Sequence, residues 1–380
     1  MGAFNLNEIL KGRRIGLDIG SHTIKLAEVT KENGGSYALA TIGMIPTGGE
    51  NKGIELSNAQ LDPQKEELDY EVITKRLKEL LKNNNINSAE VCSNIQDKFL
   101  ITRYVEIPPM PEAEIKEAIK LKIKKFIPYS VERAVIDYII TSEKRNENNQ
   151  LQALAFISKK NDIQDHVSMF RKCNLYPKII DANSLALLNI FNHTYKSNPE
   201  ELYSIVDFGE SYTKIIIIKN QILRFTRSLA IGNSNIIRNL MSRLSIDNNA
   251  AFNLRNNIDI TKSETILPTK DSLLAGLSLE QIQDAHSVTK STLLHMCSEL
   301  RSSFEFFRSQ FREGSVNKLL ICGSMLTLPS FKEFLSSILN IEIDLLRPLN
   351  NILVPEMKFD LEYLKIIEPF IAISLGLALR

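Results

Sequence analysis

The stretch Ile15-Gly16-Leu17-Asp18-Ile19-Gly20-Ser21-His22-Thr23-Ile24-Lys25 leads into the apolar run Leu26-Ala27-Glu28-Val29, and the second half of the chain echoes it. There, Ser204-Ile205-Val206-Asp207-Phe208-Gly209-Glu210-Ser211-Tyr212-Thr213-Lys214 runs into four isoleucines. In both copies Asp, Gly and Lys hold the same relative positions between two apolar runs. Each run has β-strand composition, and the short polar segment with its glycine reads as a hairpin turn. Such self-similarity signals duplication. An α/β chain with one such hairpin per half is expected.

Composition frames this reading. The chain has 380 residues, enough for two or three units with sizeable cores at roughly 100–200 residues per domain. Its 43% hydrophobic and 24% charged residues are those of an ordinary globular protein. With 46 basic and 45 acidic side chains and a net charge of +1, it is neither a broadly basic nucleic-acid binder nor an acidic solvating chain. Cys92, Cys173, Cys297 and Cys322 stand far apart with no CxxC pair, which favours reduced thiols over a disulfide framework or zinc module. The N-terminal MGAFNLNEILKGRR carries its charges after a weakly apolar stretch, the reverse of a secretory signal. No run reaches the ~20 apolar residues that cross a bilayer. Ile366–Leu379 is shorter and contains Glu368 and Pro369. The expectation is a soluble cytoplasmic protein, without nucleic acid or direct membrane insertion, that meets a membrane through a partner.

The hairpins carry a specific chemistry. Glycine lets backbone approach a ligand, and successive N–H groups in a turn form an anion-binding concavity. Ser21, Thr23, Ser211 and Thr213 can add hydroxyl donors. Asp18 and Asp207, each ending a first strand, can hold Mg²⁺ through water, since that ion keeps several waters and few carboxylates. The competing reading is two ordinary hairpins whose Asp caps a turn. One such short motif would favour it; two in register favour phosphate.

The repeated Asp-x-Gly hairpins resemble the two phosphate motifs of the actin-like ATPase superfamily. A further stretch, Ile107-Pro108-Pro109-Met110-Pro111, then EAEIKEAIKLKIKKFIPYS and Asp137-Tyr138, resembles the type IV pilus assembly protein PilM family. Cys173-Asn174-Leu175-Tyr176-Pro177-Lys178-Ile179-Ile180-Asp181 and Gly376-Leu377-Ala378-Leu379-Arg380 agree with it. The resemblance implies an actin-like, duplicated ribonuclease H-like, two-lobed α/β fold with an inserted small α/β subdomain. Residues 1–101, 173–200 and 361–380 would form the first lobe, 102–172 the inserted subdomain, 201–237 and 314–360 the second lobe, and 238–313 its accessory subdomain.

Local patterns add elements. Helices are expected near Tyr70–Leu81, over Glu112–Phe126, Asp162–Cys173 and Ile236–Leu244, and from Ser330; strands near Val91 and over Leu151–Ile157, Ser204–Arg227 and Lys318–Cys322. Asn146–Gln150 reads as a polar hairpin tip, and Asn248–Thr289 as loops and short helices. In Glu112–Phe126, Pro111 starts the helix, acids fill the first turns and lysines the last, as the macrodipole favours. Ile115, Ile119 and Phe126 share one face, while Lys116, Lys120, Lys122, Lys124 and Lys125 lie largely elsewhere. Such a lysine run is a solvated face or a surface for an acidic partner or lipid. From Val288 to Phe311 an aromatic stripe at helical spacing reads as core.

What the resemblance implies for a site is Mg-ATP in a cradle of Asp18, Gly20, Ser21, His22 and Lys25 with Asp207, Gly209, Tyr212, Thr213 and Gly232. Asp18 and Asp207 would hold the metal through water. Arg255, Gly323 and Ser324 fall on the nucleoside side. There the chain departs from the superfamily: Ser324 replaces a second glycine, Phe252 stands where a ribose-binding Glu is usual, and Gly232-Asn233 replaces a glycine pair. Phosphate contacts are thus kept and nucleoside contacts eroded, so ATP binding is weakened. No residue is assigned to orient an attacking water, which leaves slow turnover at most. His166, His193, His286 and His295 show no close metal-binding spacing.

The resemblance also implies a partner: the cytoplasmic N-terminal segment of an inner-membrane PilN-like protein, docked as an extended peptide near Ile107, Met110, Ile119, Phe126 and Ile127. Self-association is left open. The reading that follows is a scaffold of the pilus machinery. A small-molecule kinase of the same superfamily would predict a substrate pocket and fast turnover. An FtsA-like division protein would carry a C-terminal amphipathic helix, and this sequence runs to Leu379-Arg380 without one.

Overall fold

The computed structural model describes residues 12–32, 34–48, 69–141, 149–262 and 278–380. The N-terminal reading over residues 1–11, most of the expected hairpin tip, and residues 263–277 of the Asn-rich stretch lie outside the described residues.

The first repeat folds as β1 (Arg13–Ile19), β2 (Thr23–Lys31) and β3 (Tyr37–Pro46) in antiparallel succession. Next come α1 (Tyr70–Asn83) and β4 (Ala89–Ile95). Asp69 starts α1 by accepting from the backbone N–H groups of Glu71 and Val72, so two end donors find a partner. Its Ile73, Leu77, Leu80 and Leu81 bury against Ile15, Leu17 and Ile19 of β1.

The chain then leaves for the inserted subdomain: β5 (Ile101–Ile107), α2 (Glu112–Ile123), β6 (Ala134–Ile140) and β7 (Leu151–Lys159). These strands form an antiparallel sheet in the order β5-β7-β6. α2 closes it with Ile115, Ile119 and Ile123 packed on Val105, Ile107, Ala153 and Ile157. The next helix, α3 (Lys160–Arg171), sets Met169 and Phe170 into the core of the first lobe. The inserted unit therefore ends before α3. Strand β8 (Leu175–Ala182) pairs in parallel with β4, and α4 (Asn183–Thr194) follows.

The second repeat retraces the plan with β9 (Tyr203–Phe208), β10 (Thr213–Lys219) and β11 (Ile222–Leu229). The helices α5 (Asn233–Leu244), α6 (Asn248–Asn257) and α7 (Leu279–Phe311) come next, then β12 (Lys318–Cys322), α8 (Phe331–Leu339) and β13 (Glu342–Leu345). Its sheet order is β11-β10-β9-β12-β13, which mirrors β3-β2-β1-β4-β8 in the first lobe. α7 starts well before the expected Val288, because Ser278 and Gln281 form a capping box at its N-terminus.

The last segment, β14 (Ile352–Leu353), pairs with β3, so residues expected in the second lobe join the sheet of the first. After α9 (Leu361–Ile367), α10 (Ala372–Ala378) lies directly beneath β1. Gly16 makes that contact: a Cβ there would stand 1.9 Å from the Ser374 carbonyl oxygen. One core continues between the lobes, with Ile205, Ile216 and Ile218 meeting Ala186, Phe191 and Leu377.

Candidate functional site: the interlobe cleft

The two hairpins face each other across the gap between the lobes. Antiparallel register sets Asp18 opposite Lys25 in one and Asp207 opposite Lys214 in the other. Each turn closes the same way, with the Gly20 N–H donating to the Thr23 carbonyl and the Gly209 N–H to the Tyr212 carbonyl. The sequence echo is thus a geometric one.

Asp18 is buried. Its carboxylate accepts from Lys25 Nζ at 2.9 Å and from Asn94 Nδ2 at 2.7 Å. Asn94 in turn accepts from the Ile19 N–H, and Gln96 donates to the Ile19 carbonyl. The end of β4 therefore braces the first turn. Burial works against the charge on Lys25, but Asp18, with Asp207 behind it, outweighs this and raises its pKa. Lys214 instead crosses the gap: its Nζ stands 2.5 Å from Asp97 Oδ1, both side chains being almost wholly buried. A second bridge joins the turn tips, Ser211 Oγ donating to Ser21 Oγ at 3.1 Å.

Asp207 lies at the end of β9 facing this cluster. Burial pushes its pKa up to about 6, with Lys25 pulling down and Asp18 and Asp97 pushing up. Behind it Gly323, at φ 101°, carries the turn after β12. A Cβ there would lie 2.5 Å from Asp207 Oδ1, so both conformation and space demand glycine.

The cleft is lined by Asp18, Gly20, Ser21, His22, Lys25, Asp207, Gly209, Tyr212, Gly323 and Ser324 as the sequence suggested, with His22 and Ser21 exposed at its mouth. Three expected residues have other duties. Thr213 is buried and gives its hydroxyl to the Ile231 carbonyl at 2.7 Å, so it offers no donor to the cleft. Gly232 sits at the start of α5, where the Glu210 carbonyl leaves no room for a side chain. Arg255 is fully buried behind the 324–327 turn and donates to the Met325 carbonyl, Thr327 and Asn256. It props that turn from behind rather than lining the cleft. Burial lowers its pKa to about 10.

Sequence reasoning missed Asn94, Asp97, Lys214 and Glu210. Ser93-Asn94-Ile95-Gln96-Asp97 ends a parallel strand, where ligand sites of α/β sheets gather, and that was the available signal. Glu210 follows Gly209; its carboxylate accepts from Asn233 Nδ2 at 3.0 Å and from Ser324 Oγ at 3.4 Å.

The expected partner residues fare differently. Ile107, Ile119 and Ile127 belong to the core of the inserted subdomain, and Met110 packs against it. Their side chains are taken by the hydrophobic packing of α2 on its sheet, which corrects the docking expectation. Phe126 alone is exposed, at 45%. A larger groove of about 1630 Å³ lies between two sheet edges, β5 and β11, lined among others by Tyr70, Arg103, Tyr104, Tyr129, Phe225 and Phe306.

A six-stranded and a five-stranded sheet that share one five-strand order, with an Asp-x-Gly hairpin on each side of the cleft between them, define an actin-like ATPase fold. The family described as type IV pilus assembly protein PilM matches residues 16–276, and the chain belongs to that family. Among solved structures, the PilM-PilN type IV pilus biogenesis complex is 22% identical over 97% of this chain and 98% of that one, with a TM-score of 0.75. Diol dehydratase-reactivating factor in its nucleotide-free form is 10% identical over 97% and 99% of the two chains, TM-score 0.53. Ethanolamine utilization protein EutJ from Carboxydothermus hydrogenoformans is 12% identical over 97% and 89%, TM-score 0.51. Among the described residues no helix is long and apolar enough to cross a membrane.

Proposed function

We propose that this pilus assembly protein is a cytoplasmic scaffold that binds Mg-ATP weakly between its lobes. It docks the cytoplasmic N-terminal segment of a PilN-like protein at the inner face of the inner membrane. The observation that carries the first half is the convergence of Asp18, Asp207 and Lys25 beside two glycine turns. The donor set suits the group. Lys25 and the turn N–H groups are donors for phosphate oxygens. Among the described residues no three His, Cys, Asp or Glu side chains gather as a metal site. A magnesium ion would accordingly be held by Asp18 and Asp207 together with water and phosphate. When bound, it would neutralise phosphate charge; the chain's own task is to orient that charge and keep water out.

The nucleoside side is poorly equipped. Ser324 opens the turn after Gly323, Phe252 carries no hydrogen-bonding group, and Arg255 is committed to the loop. For the partner, the groove between β5 and β11 offers aromatic walls and two strand edges. An extended peptide uses such features through backbone hydrogen bonds and side-chain anchors.

A thermal-unfolding titration with Mg-ATP tests the cleft. Ligand at about 100 times its Kd stabilises by roughly 2.7 kcal/mol, and a saturable shift is expected that Asp18→Asn with Asp207→Asn removes. No shift at millimolar nucleotide would leave a scaffold without nucleotide. For the groove, a fluorescent peptide of the partner's N-terminus should lose affinity on Tyr129→Ala and Phe306→Ala; unchanged binding would place the partner elsewhere.

A further inference from the structure

We propose that the C-terminal turns of α2 and the turn after it form a docking surface for an anionic lipid bilayer, beside the partner groove. α2 spends Ile115, Ile119 and Ile123 on its own sheet. On the surface left over, Leu121 is 78% exposed and Phe126 45%. Around them Lys122, Lys124 and Lys125 are all exposed, and Lys120 is partly so. Arg103 adds its guanidinium 5.7 Å from the Phe126 ring, and Lys125 its ammonium at 5.0 Å. From Ala118 to Tyr129 the sequence contains no acid. Of these lysines only Lys120 is in an ion pair among the described residues, with Glu117. Glu106 is the one carboxylate among the residues lining the shallow groove beside them.

A plain solvated face explains the lysines but leaves two large apolar side chains in water without reason. A protein partner would explain the apolar pair, yet interface cores are depleted in lysine, and here lysines surround the pair closely. An anionic bilayer suits both parts. Leucine and phenylalanine enter the headgroup boundary while lysine stems lie along it and their ammonium groups meet lipid phosphate. The surface touches the bilayer and does not span it. Each lysine near an anionic surface contributes about fivefold in affinity, so the contact is weak alone and steep in salt and in anionic lipid.

The test uses the full chain without any partner peptide, floated with vesicles of phosphatidylcholine alone or mixed with phosphatidylglycerol. Binding to the mixed vesicles at low salt is expected, with none to pure phosphatidylcholine and loss on adding salt. Lys122→Glu, Lys124→Glu and Lys125→Glu together should lower binding on the order of a hundredfold. Reversal of three lysines elsewhere, Lys78, Lys172 and Lys365, should cost far less. Leu121→Ser with Phe126→Ser, both surface changes, should weaken binding several-fold at unchanged charge. Equal binding by the Lys122/Lys124/Lys125 variant, or no binding of the native chain to phosphatidylglycerol, overturns the proposal. So does capture of polyglutamate by this face while vesicles are ignored, an outcome that would assign the face to an acidic protein.

Discussion

Asp207 makes the cleft sensitive to pH in a direction its surroundings fix. Burial favours its protonated form, with a pKa of about 6, whereas a free aspartate ionises near 3.9. The folded state thus gives up stability as the pH rises from about 4 to 6, because the unfolded chain ionises this group more easily. A magnesium ion held as proposed would reverse the preference, since it needs the carboxylate. Mg-nucleotide affinity should accordingly be flat above pH 7 and fall by up to about tenfold per unit below 6. Calorimetric titration at pH 7.5 and 5 measures this, and a profile unchanged by Asp207→Asn would assign the dependence to another group. Glu210 poses a second test. Its carboxylate lines the same cleft, held by Asn233 and Ser324, where it opposes an incoming polyphosphate. Glu210→Gln keeps the hydrogen-bonding shape and removes the charge, so nucleotide affinity should rise several-fold; a fall would mean that the charge serves binding through Asn233. The repeat pattern of Asp, Gly and Lys made the lining of the cleft readable at this scale. It could not show that Thr213 and Arg255 turn their polar atoms into the fold, because that depends on which carbonyls the chain brings beside them.

At the scale of elements, a buried histidine joins α3 to the strand that braces the cleft. His166 Nε2 lies 2.9 Å from Ser93 Oγ on β4. Burial pushes its pKa down to about 4. The folded chain holds this imidazole neutral while the unfolded chain protonates it near pH 6.5. Its contribution is therefore complete above that value and is lost as the pH falls toward 4. Between pH 7 and 5 the loss is about 2 kcal/mol. His166→Gln, which keeps a partner for Ser93, should flatten that portion of the stability curve in chemical denaturation; an unchanged slope would exclude this residue as the titrating group. Nothing local in the sequence revealed the contact, since Ser93 and His166 are distant along the chain. Periodicity did reveal α2 with its buried Ile115 and Ile119, but Phe126, expected on the same face, is exposed beyond the end of the helix at Ile123, and the docking residues Ile107, Ile119 and Ile127 came from the family resemblance. Apolar residues at helical spacing state only that something covers them, and here it is the subdomain's own sheet. The early start of α7 was legible in Ser278 and Gln281, a capping signal that the aromatic stripe further on concealed.

The whole molecule is held closed by contacts that each need both lobes. Lys214 of the second lobe pairs with Asp97 of the first at 2.5 Å, their side chains 4% and 6% exposed. Tyr104 of the inserted subdomain stacks on Phe225 and accepts from the Thr226 N–H, which ties that subdomain to β11. The cleft that Lys214 and Asp97 line is about 150 Å³, below the roughly 300–1,000 Å³ of ordinary ligand pockets. For a nucleoside triphosphate to bind as proposed, the lobes would have to part further, and the buried pair would set part of the resistance. Removing one member of such a pair strands its partner and costs about 3–5 kcal/mol, while removing both costs much less. Lys214→Met should accordingly destabilise strongly, and Asp97→Asn added to it should restore most of the loss. In that compensated variant the lobes are joined by fewer contacts, so stopped-flow mixing with a fluorescent nucleotide should show faster association than in the native chain. A coupling energy near zero in the double-mutant cycle would remove Lys214–Asp97 as a clasp. Strong coupling with an unchanged association rate would instead assign the resistance to the apolar contacts between the lobes, where Tyr104→Ala becomes the next variant to measure.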